Sequence, residues 1–405
     1  MNVFRKKSGL LFMLALLSLC LLSVSCTADG SLDKRLSTAA KPYKFSLINW
    51  EYHAIKTIIN RGNDSGNDID KVNDYFSIVG EIRSLEAEIA AVKAGNRQGD
   101  LASLEAEIAR RQQQTGSLQI AVETTLEKQI QEVLAEQGIF NPFYKYIKLK
   151  FHFPTPSFLL DEPPHLLVVS PRDRIESMRE ILLQQELSAE EMEAIEAEID
   201  SSVVSSLVVE LGGFATLPSF VTNKGGLRFT LNAVGEEWVH KYLAFRPLGF
   251  KYLLDLTGIS RNYDIATMNE TVASMVAKEV GEIVYQRYYD QDNSQPETSP
   301  SEFDFNHEMR ETRRAVDEYL ARGEIEAAEE FMEQKRHYLA EHGYHLRKLN
   351  QAYFAFHGAY ADSPTSISPI GAELKQLRSQ SDSIKDFLET AASMTSRIDL
   401  AEKVK

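Results

Sequence analysis

A mostly helical α+β fold is predicted for this 405-residue chain, on three observations. Residues 78–92 and 101–133 place apolar side chains at helical steps on either side of a short polar turn. Between residues 147 and 221 lie short apolar runs punctuated by Pro and Gly, the texture of strands. From Thr230 onward the apolar residues return mostly to helical spacing, interrupted by one polar stretch.

The elements can be justified in order. Arg5, Lys6 and Lys7 precede an apolar run over 10–22 broken only by Ser18, and Ser23 and Ser25 then lead to Cys26. That order of charge, apolar stretch and small residues is a secretory signal, and the run is too short to span a bilayer comfortably. A cysteine placed directly after Ser-Val-Ser resembles a lipoprotein processing site. The resemblance implies a lipid on Cys26 and a chain anchored to the cell membrane on its extracytoplasmic face. Simple cleavage and an uncleaved apolar anchor remain as alternatives. Cys20 and Cys26 are the only 2 cysteines, so the body beyond residue 26 has no thiol and no disulfide. Removing the three basic residues of 1–26 from the 44 Lys and Arg leaves 41 against 59 Asp and Glu, a net charge of −18. A body that acidic argues against nucleic acid and against anionic lipid heads as partners.

Residues 27–42, polar and small, read as a tether. A helical region over 43–140 follows, beginning with an apolar and aromatic pattern to Ile59 that Arg61-Gly-Asn-Asp-Ser-Gly-Asn-Asp interrupts. Within it Ile78, Ile82, Leu85, Ile89 and Val92 recur at steps of four and three, the seam of a coiled coil. After Gly95-Asn-Arg-Gln-Gly-Asp a second helix carries Leu101, Leu104 and Ile108, then Leu118, Val122, Leu126, Ile130 and Val133. Two such helices on a short turn fold back as an antiparallel hairpin, internal to the fold or serving as a partner-binding arm.

Residues 141–290 carry the strands. Ile147, Leu149, Phe151 and Phe153 alternate with Lys148, Lys150 and His152, predicting a half-buried strand. A second strand is expected over 166–172, an acidic helix over 188–200, a strand over 203–209, and an extension of the sheet over 216–221. Residues 291–302, rich in Ser, Pro, Asp and Gln, read as a flexible linker, and 303–405 as a helical C-terminal domain.

One helix carries candidate chemistry. Leu231, Val234, Trp238 and Tyr242 fall on one face and mark it as a core helix. On the same helix Glu236 and His240 stand side by side, with Glu237 one position round, in the string Glu236-Glu-Trp-Val-His. Metal ligands at i and i+4 with a carboxylate at i+1 are the arrangement of a metallopeptidase helix, although charges at this spacing also occur on any solvated face. Thirty residues on comes Met268-Asn-Glu-Thr-Val-Ala, again in helical pattern.

Together the two strings resemble the active-site helices of the glutamate-type zincins, the clan of thermolysin and the membrane alanyl aminopeptidases. The resemblance covers roughly residues 145–290 and extends to a little-characterised group of exported bacterial lipoproteins described as metallopeptidase-like. It implies a zincin-like core in which His240 and Glu270 ligate a metal, Glu236 fills the first ligand position, Glu237 is the base that activates water, and Asn269 orients its neighbours. The family's usual first ligand is histidine. Glutamate there gives a harder donor set, so the implied ion is zinc or another divalent metal such as manganese or iron. An edge strand within 203–221 would hold an extended peptide by backbone pairing.

In the C-terminal region His337, His342, His345 and His357 lie among Tyr338, Tyr344, Tyr353, Phe354, Phe356 and Tyr360. The clan places a Tyr or His opposite the base to steady the oxyanion, and Tyr353 and His357 are the candidates, as they share a helix face. A stripe of core aromatics is the plainer reading of most of this set. Gly-x-Ser-x-Gly elbows and phosphate-binding glycine loops are absent from the sequence. Two functions are therefore expected: an extracytoplasmic metallopeptidase acting on peptides or proteins, or a non-catalytic envelope lipoprotein that binds a peptide or protein partner on the same scaffold.

Overall fold

The computed structural model describes residues 30–61, 67–93, 97–200, 203–290, 303–361, 363 and 365–405. The signal segment with Cys26, and all of 291–302, lie outside the described residues. The architecture is α+β and mostly helical, with two small three-stranded sheets among the described residues.

The stretch expected to be a tether is largely structured: Gly30–Ala40 forms helix α1, followed by a 3-10 turn over Lys41–Tyr43. Leu36, Ala39 and Ala40 lie at i, i+3 and i+4 and are buried, so one leucine and two alanines in a polar-looking segment are enough to pack it onto the fold. Helix α2 is Leu47–Asn60. Helices α3 (Ile69–Lys93) and α4 (Leu101–Glu136) run antiparallel, as the Asp68–Thr125 and Arg111–Glu81 contacts show. Val72, Tyr75 and Val79 meet Val122, Leu126 and Ile130 in the main core at the base of this hairpin. Farther out, Ile78, Ile82, Leu85, Ile89 and Val92 are half-buried, because two helices alone cover only one side of each other's stripe.

The alternating segment after Pro142 is not a strand. Tyr144–Ile147 forms a single helical turn (α5), Lys148 adopts a left-handed backbone, and residues 149–157 are irregular. Alternation alone does not make a strand where no neighbouring backbone pairs with it.

Strands β1 (Phe158–Leu160), β2 (His165–Pro171) and β3 (Arg179–Leu183) precede helix α6 (Ala189–Ile199), whose Ser188 and Glu191 form a reciprocal cap. Strands β4 (Val204–Glu210), β5 (Gly213–Phe214) and β6 (Ser219–Val221) follow. The first sheet is antiparallel in the order β3-β2-β4, with Val168 opposite Leu207. Leu167 and Val169 face α1 and α6, while Val168 faces the C-terminal part, which explains why β2 is an uninterrupted apolar run. The second sheet has the order β1-β6-β5, with β6 parallel to β1 and antiparallel to β5. Residues 219–221 thus build a separate sheet instead of extending the first.

Helices α7 (Leu227–Leu243), α8 (Pro247–Leu256) and α9 (Tyr263–Tyr288) form the centre. Helices α10 (Phe305–Ala321) and α11 (Ile325–Glu341) pair around Met309, Val316, Met332 and Leu339. The short α12 (Gln351–His357) covers the open face of the first sheet, and α13 (Ile370–Gln380), α14 (Ile384–Ala392) and α15 (Arg397–Lys403) return to the main core. Glu196 of α6 binds this C-terminal part to the sheet: it accepts from Arg347 at 2.6 and 2.9 Å and from the Val208 N–H at 2.7 Å.

Candidate metal centre

The site exists because α7 and α9 pack antiparallel at very short range. Gly235 faces Ala277 so closely that an added β-carbon would stand 3.2 Å from its Cα, and Gly281 leaves no room for one beside Asn232. Lacking side chains at these two points, the helices approach closely enough for residues 236 and 240 to meet residue 270. Helix α8 makes the return, and Asn262 caps α9 by accepting from the Ile265 N–H at 3.0 Å. The apolar face of α7 holds its rotation: Leu231, Val234, Trp238 and Tyr242 are buried, and the Trp238 indole donates to the Pro154 carbonyl at 2.8 Å.

Glu236, His240 and Glu270 each offer one ligand atom, and these atoms all lie within 4.8 Å of one another. His240 Nε2 stands 3.4 Å from Glu270 Oε2. On its other side His240 Nδ1 donates to Asn269 Oδ1 at 2.8 Å, which puts the ring proton on Nδ1 and turns Nε2 to the cluster. The Tyr252 hydroxyl donates to Glu270, and Tyr360 lines the same cavity, where burial together with Glu270, Glu236 and Glu237 keeps its hydroxyl protonated.

The electrostatics of the cluster are those of a site crowded with acid. Burial, reinforced by Glu270, pushes Glu236 up to about 7, with His240 and Lys278 pulling the other way. Burial also pushes Glu237 up to about 8, again against the pull of His240. For His240 burial opposes the charge, but Glu270, Glu237 and Glu236 outweigh it and raise the ring well above its ordinary value. Burial works against Glu270 too, and His240, Tyr252 and Tyr360 more than offset it, holding that carboxyl below the usual range. Three acids and one imidazole brought together must take up protons or share a cation. The donor set fits a small divalent ion: two carboxylate oxygens and one imidazole whose Nδ1 is held by Asn269, with Glu270 steered by Tyr252.

Glu237 lies beside the cluster, pressed against β5 where only a glycine at 213 leaves space for its carboxylate. Residues Gly213, Phe214 and Ala215 of the expected edge-strand region line a cavity of about 290 Å³ together with Glu237, His240, Tyr252, Glu270 and Tyr360. Strand β5 is the terminal strand of its sheet. Apolar walls come from Leu253, Leu256 and Phe356.

Tyr353 and His357 are not among the residues lining this cavity. Their rings meet each other in a tilted contact, centroids 4.3 Å apart. Tyr360 lines the cavity instead, because the chain after α12 turns toward α9, where the Ala361 N–H donates to Thr271 Oγ1 at 3.0 Å. The sequence gives no sign of Tyr252. Tyr360 belonged to the aromatic set and carried a signal; Tyr252, in an ordinary amphipathic helix, carried none.

No protein-family model, curated protein or solved structure matches the chain. What the fold and the site define is a class: a mostly helical α+β protein with a buried acid–histidine cluster opening onto a sheet edge.

Proposed function

We propose that the chain is a metal-dependent peptidase of the glutamate-type zincin kind, acting outside the cytoplasmic membrane to which Cys26 tethers it. One observation carries the reading: donor atoms from residues 236, 240 and 270 converge within 4.8 Å, beside a carboxylate that abuts a sheet edge. Glu236, His240 and Glu270 would hold the ion, zinc or another divalent metal. When bound, that ion supplies Lewis acidity toward a peptide carbonyl and a water molecule. The chain's own groups do the rest. Strand β5 pairs with the extended backbone of the substrate, and the apolar walls exclude water from it. Glu237 takes the proton of the attacking water and passes it to the leaving amine. The Tyr360 hydroxyl steadies negative charge on the former carbonyl oxygen, and Asn269 keeps His240 in one tautomer.

Metal analysis by mass spectrometry and hydrolysis of a peptide library by wild type and Glu237→Gln test the proposal. Bound metal in both proteins with hydrolysis by the wild type alone is expected; metal in neither overturns it. The second reading, a non-catalytic partner-binding scaffold, is favoured by the way the cluster satisfies itself through the His240–Glu270 contact at 3.4 Å. It predicts peptide binding with no metal and no turnover. For the tether, Cys26→Ser is expected to release the protein from the membrane fraction, and continued retention would assign the anchoring to the apolar segment itself.

A further inference from the structure

The segment misread as a strand is a closed loop with a tied neck. The Phe153 N–H donates to the Phe140 carbonyl at 3.0 Å, and the buried Asn141 amide donates inward to the carbonyls of Leu149 at 2.9 Å and Phe151 at 3.0 Å. Phe143 and Phe153 both pack on Phe245, and Arg246 donates to the Pro142 carbonyl at 3.0 Å. The loop is therefore held in place, yet its tip is turned outward. Tyr146 is 74 % exposed, Leu149 61 %, Ile147 46 % and Phe151 43 %.

Between these side chains stand Lys145, Lys148 and Lys150, and no acidic residue occurs between Glu136 and Asp161, in a chain with 59 acids against 44 bases. Large apolar groups gathered on a surface mark an interaction site, and the lysines give its sign. The exposed side chains at 146, 147, 149 and 151 sit on a helical turn and on the irregular chain after the left-handed Lys148, so they present no regular helix or strand face for a protein partner to pack on. A lipid interface makes no such demand: aliphatic groups enter the acyl boundary, aromatic rings settle at headgroup level, and lysine stems extend to the phosphates.

We propose that residues 143–151 form a second membrane contact, inserting their apolar tips into the headgroup region of an anionic bilayer. The overall acidity of the body, which argues against anionic lipid as a partner, is locally reversed here. The contact does not depend on metal binding, and it orients the body in a way that a single N-terminal anchor cannot.

The test uses the full chain with Cys20→Ser and Cys26→Ser, which leaves it without cysteine, and Tyr146→Cys carrying an environment-sensitive fluorophore. A control probe at Gln113→Cys sits on the exposed side of the hairpin, 23 residues before Glu136 on the same helix and so roughly 35 Å away along it. Vesicles of phosphatidylglycerol and phosphatidylethanolamine should shift the emission at 146 to the blue and leave 113 unchanged, with a much weaker response to phosphatidylcholine. Replacing Lys145, Lys148 and Lys150 by Gln should weaken binding by about fivefold per lysine. A probe at 146 that stays in water while the chain sediments with vesicles overturns the proposal, leaving binding to the N-terminal segment. Equal response to both lipid mixtures overturns the anionic assignment. A shift that follows protein concentration without lipid overturns it in favour of a second copy of the chain.

Discussion

Replacing Asn269 by Ala asks whether the cluster is organised as a metal site. The perturbation removes the acceptor that holds His240 Nδ1 at 2.8 Å, at a position only 1 % exposed. Water has no ready access there, so the imidazole N–H loses its partner and the ring is free to turn. Leaving such a donor unpaired costs roughly 1–3 kcal/mol. Deleting the partner of a ligating histidine ordinarily weakens metal affinity by roughly 10- to 100-fold, or about 1.4–2.7 kcal/mol. The two figures agree, as they should if the lost bond acts chiefly through the ligand. The Asn269 amide nitrogen has no partner of its own, so the truncation breaks no second hydrogen bond. Zinc affinity measured by competition with a chromophoric chelator at pH 7, alongside the urea midpoint of the metal-free protein, reads both effects. Asn269→Asp, which keeps an acceptor in place, should recover most of the affinity. Wild-type zinc affinity in Asn269→Ala, with the fold intact, would refute the idea that this contact positions a ligand.

Three further outcomes are expected. Glu196→Ala strands the Val208 N–H and removes the carboxylate from Arg347, while Lys348 keeps Asp200 at 2.7 Å, and should lower stability by about 1–3 kcal/mol in urea titration; no measurable shift would show that rehydration of the partly exposed Arg347 offsets the loss. Burial depresses His357 to about 4 from 6.5, so the folded chain binds fewer protons there than the unfolded chain over that window. Its contribution is complete above about 6.5 and is lost as pH falls toward 4, and His357→Phe should flatten that part of the stability profile. Gly213→Val drives a side chain into the Glu237 carboxylate, and displacement of the base should reduce kcat on the order of 100-fold while metal content stays unchanged.

Much of the site was legible wherever a helix alone fixes the geometry. Glu236 and His240 stand side by side in any helix that contains their spacing, and the buried face of Leu231, Val234, Trp238 and Tyr242 follows from the same periodicity. Their meeting with Glu270 is tertiary. It depends on glycines at 235 and 281, which in sequence look like two ordinary weak points of helices. The tyrosines were out of reach for the same reason: Tyr252 and Tyr360 lie on separate elements whose approach to Glu270 is set by how α8 and the chain after α12 pack. The two misread segments fail in opposite directions. Residues 30–40 look like solvent-borne chain but bury a leucine and two alanines, whereas 147–151 look half-buried and present their apolar side chains outward. Periodicity reports what a segment could bury, and the neighbours decide whether it does.

The way the hairpin is fastened has a consequence for inheritance. Arg61 pairs with both Glu123 and Glu127 of α4, and these carboxylates also accept the backbone N–H groups of Leu160 and Phe158 in β1. Strand β1 in turn pairs with β6, the neighbour of β5 at the cavity. The inner half of the hairpin is thus no cassette. A recombination joint cut through residues 122–134 would leave buried charges and strand amides without partners on both sides of the junction. The outer half, exposed or half-buried and joined by a polar turn, can gain or lose whole heptads without disturbing anything near the cavity. Among descendants of this chain, hairpin length should drift freely at the tip while its root stays as it is.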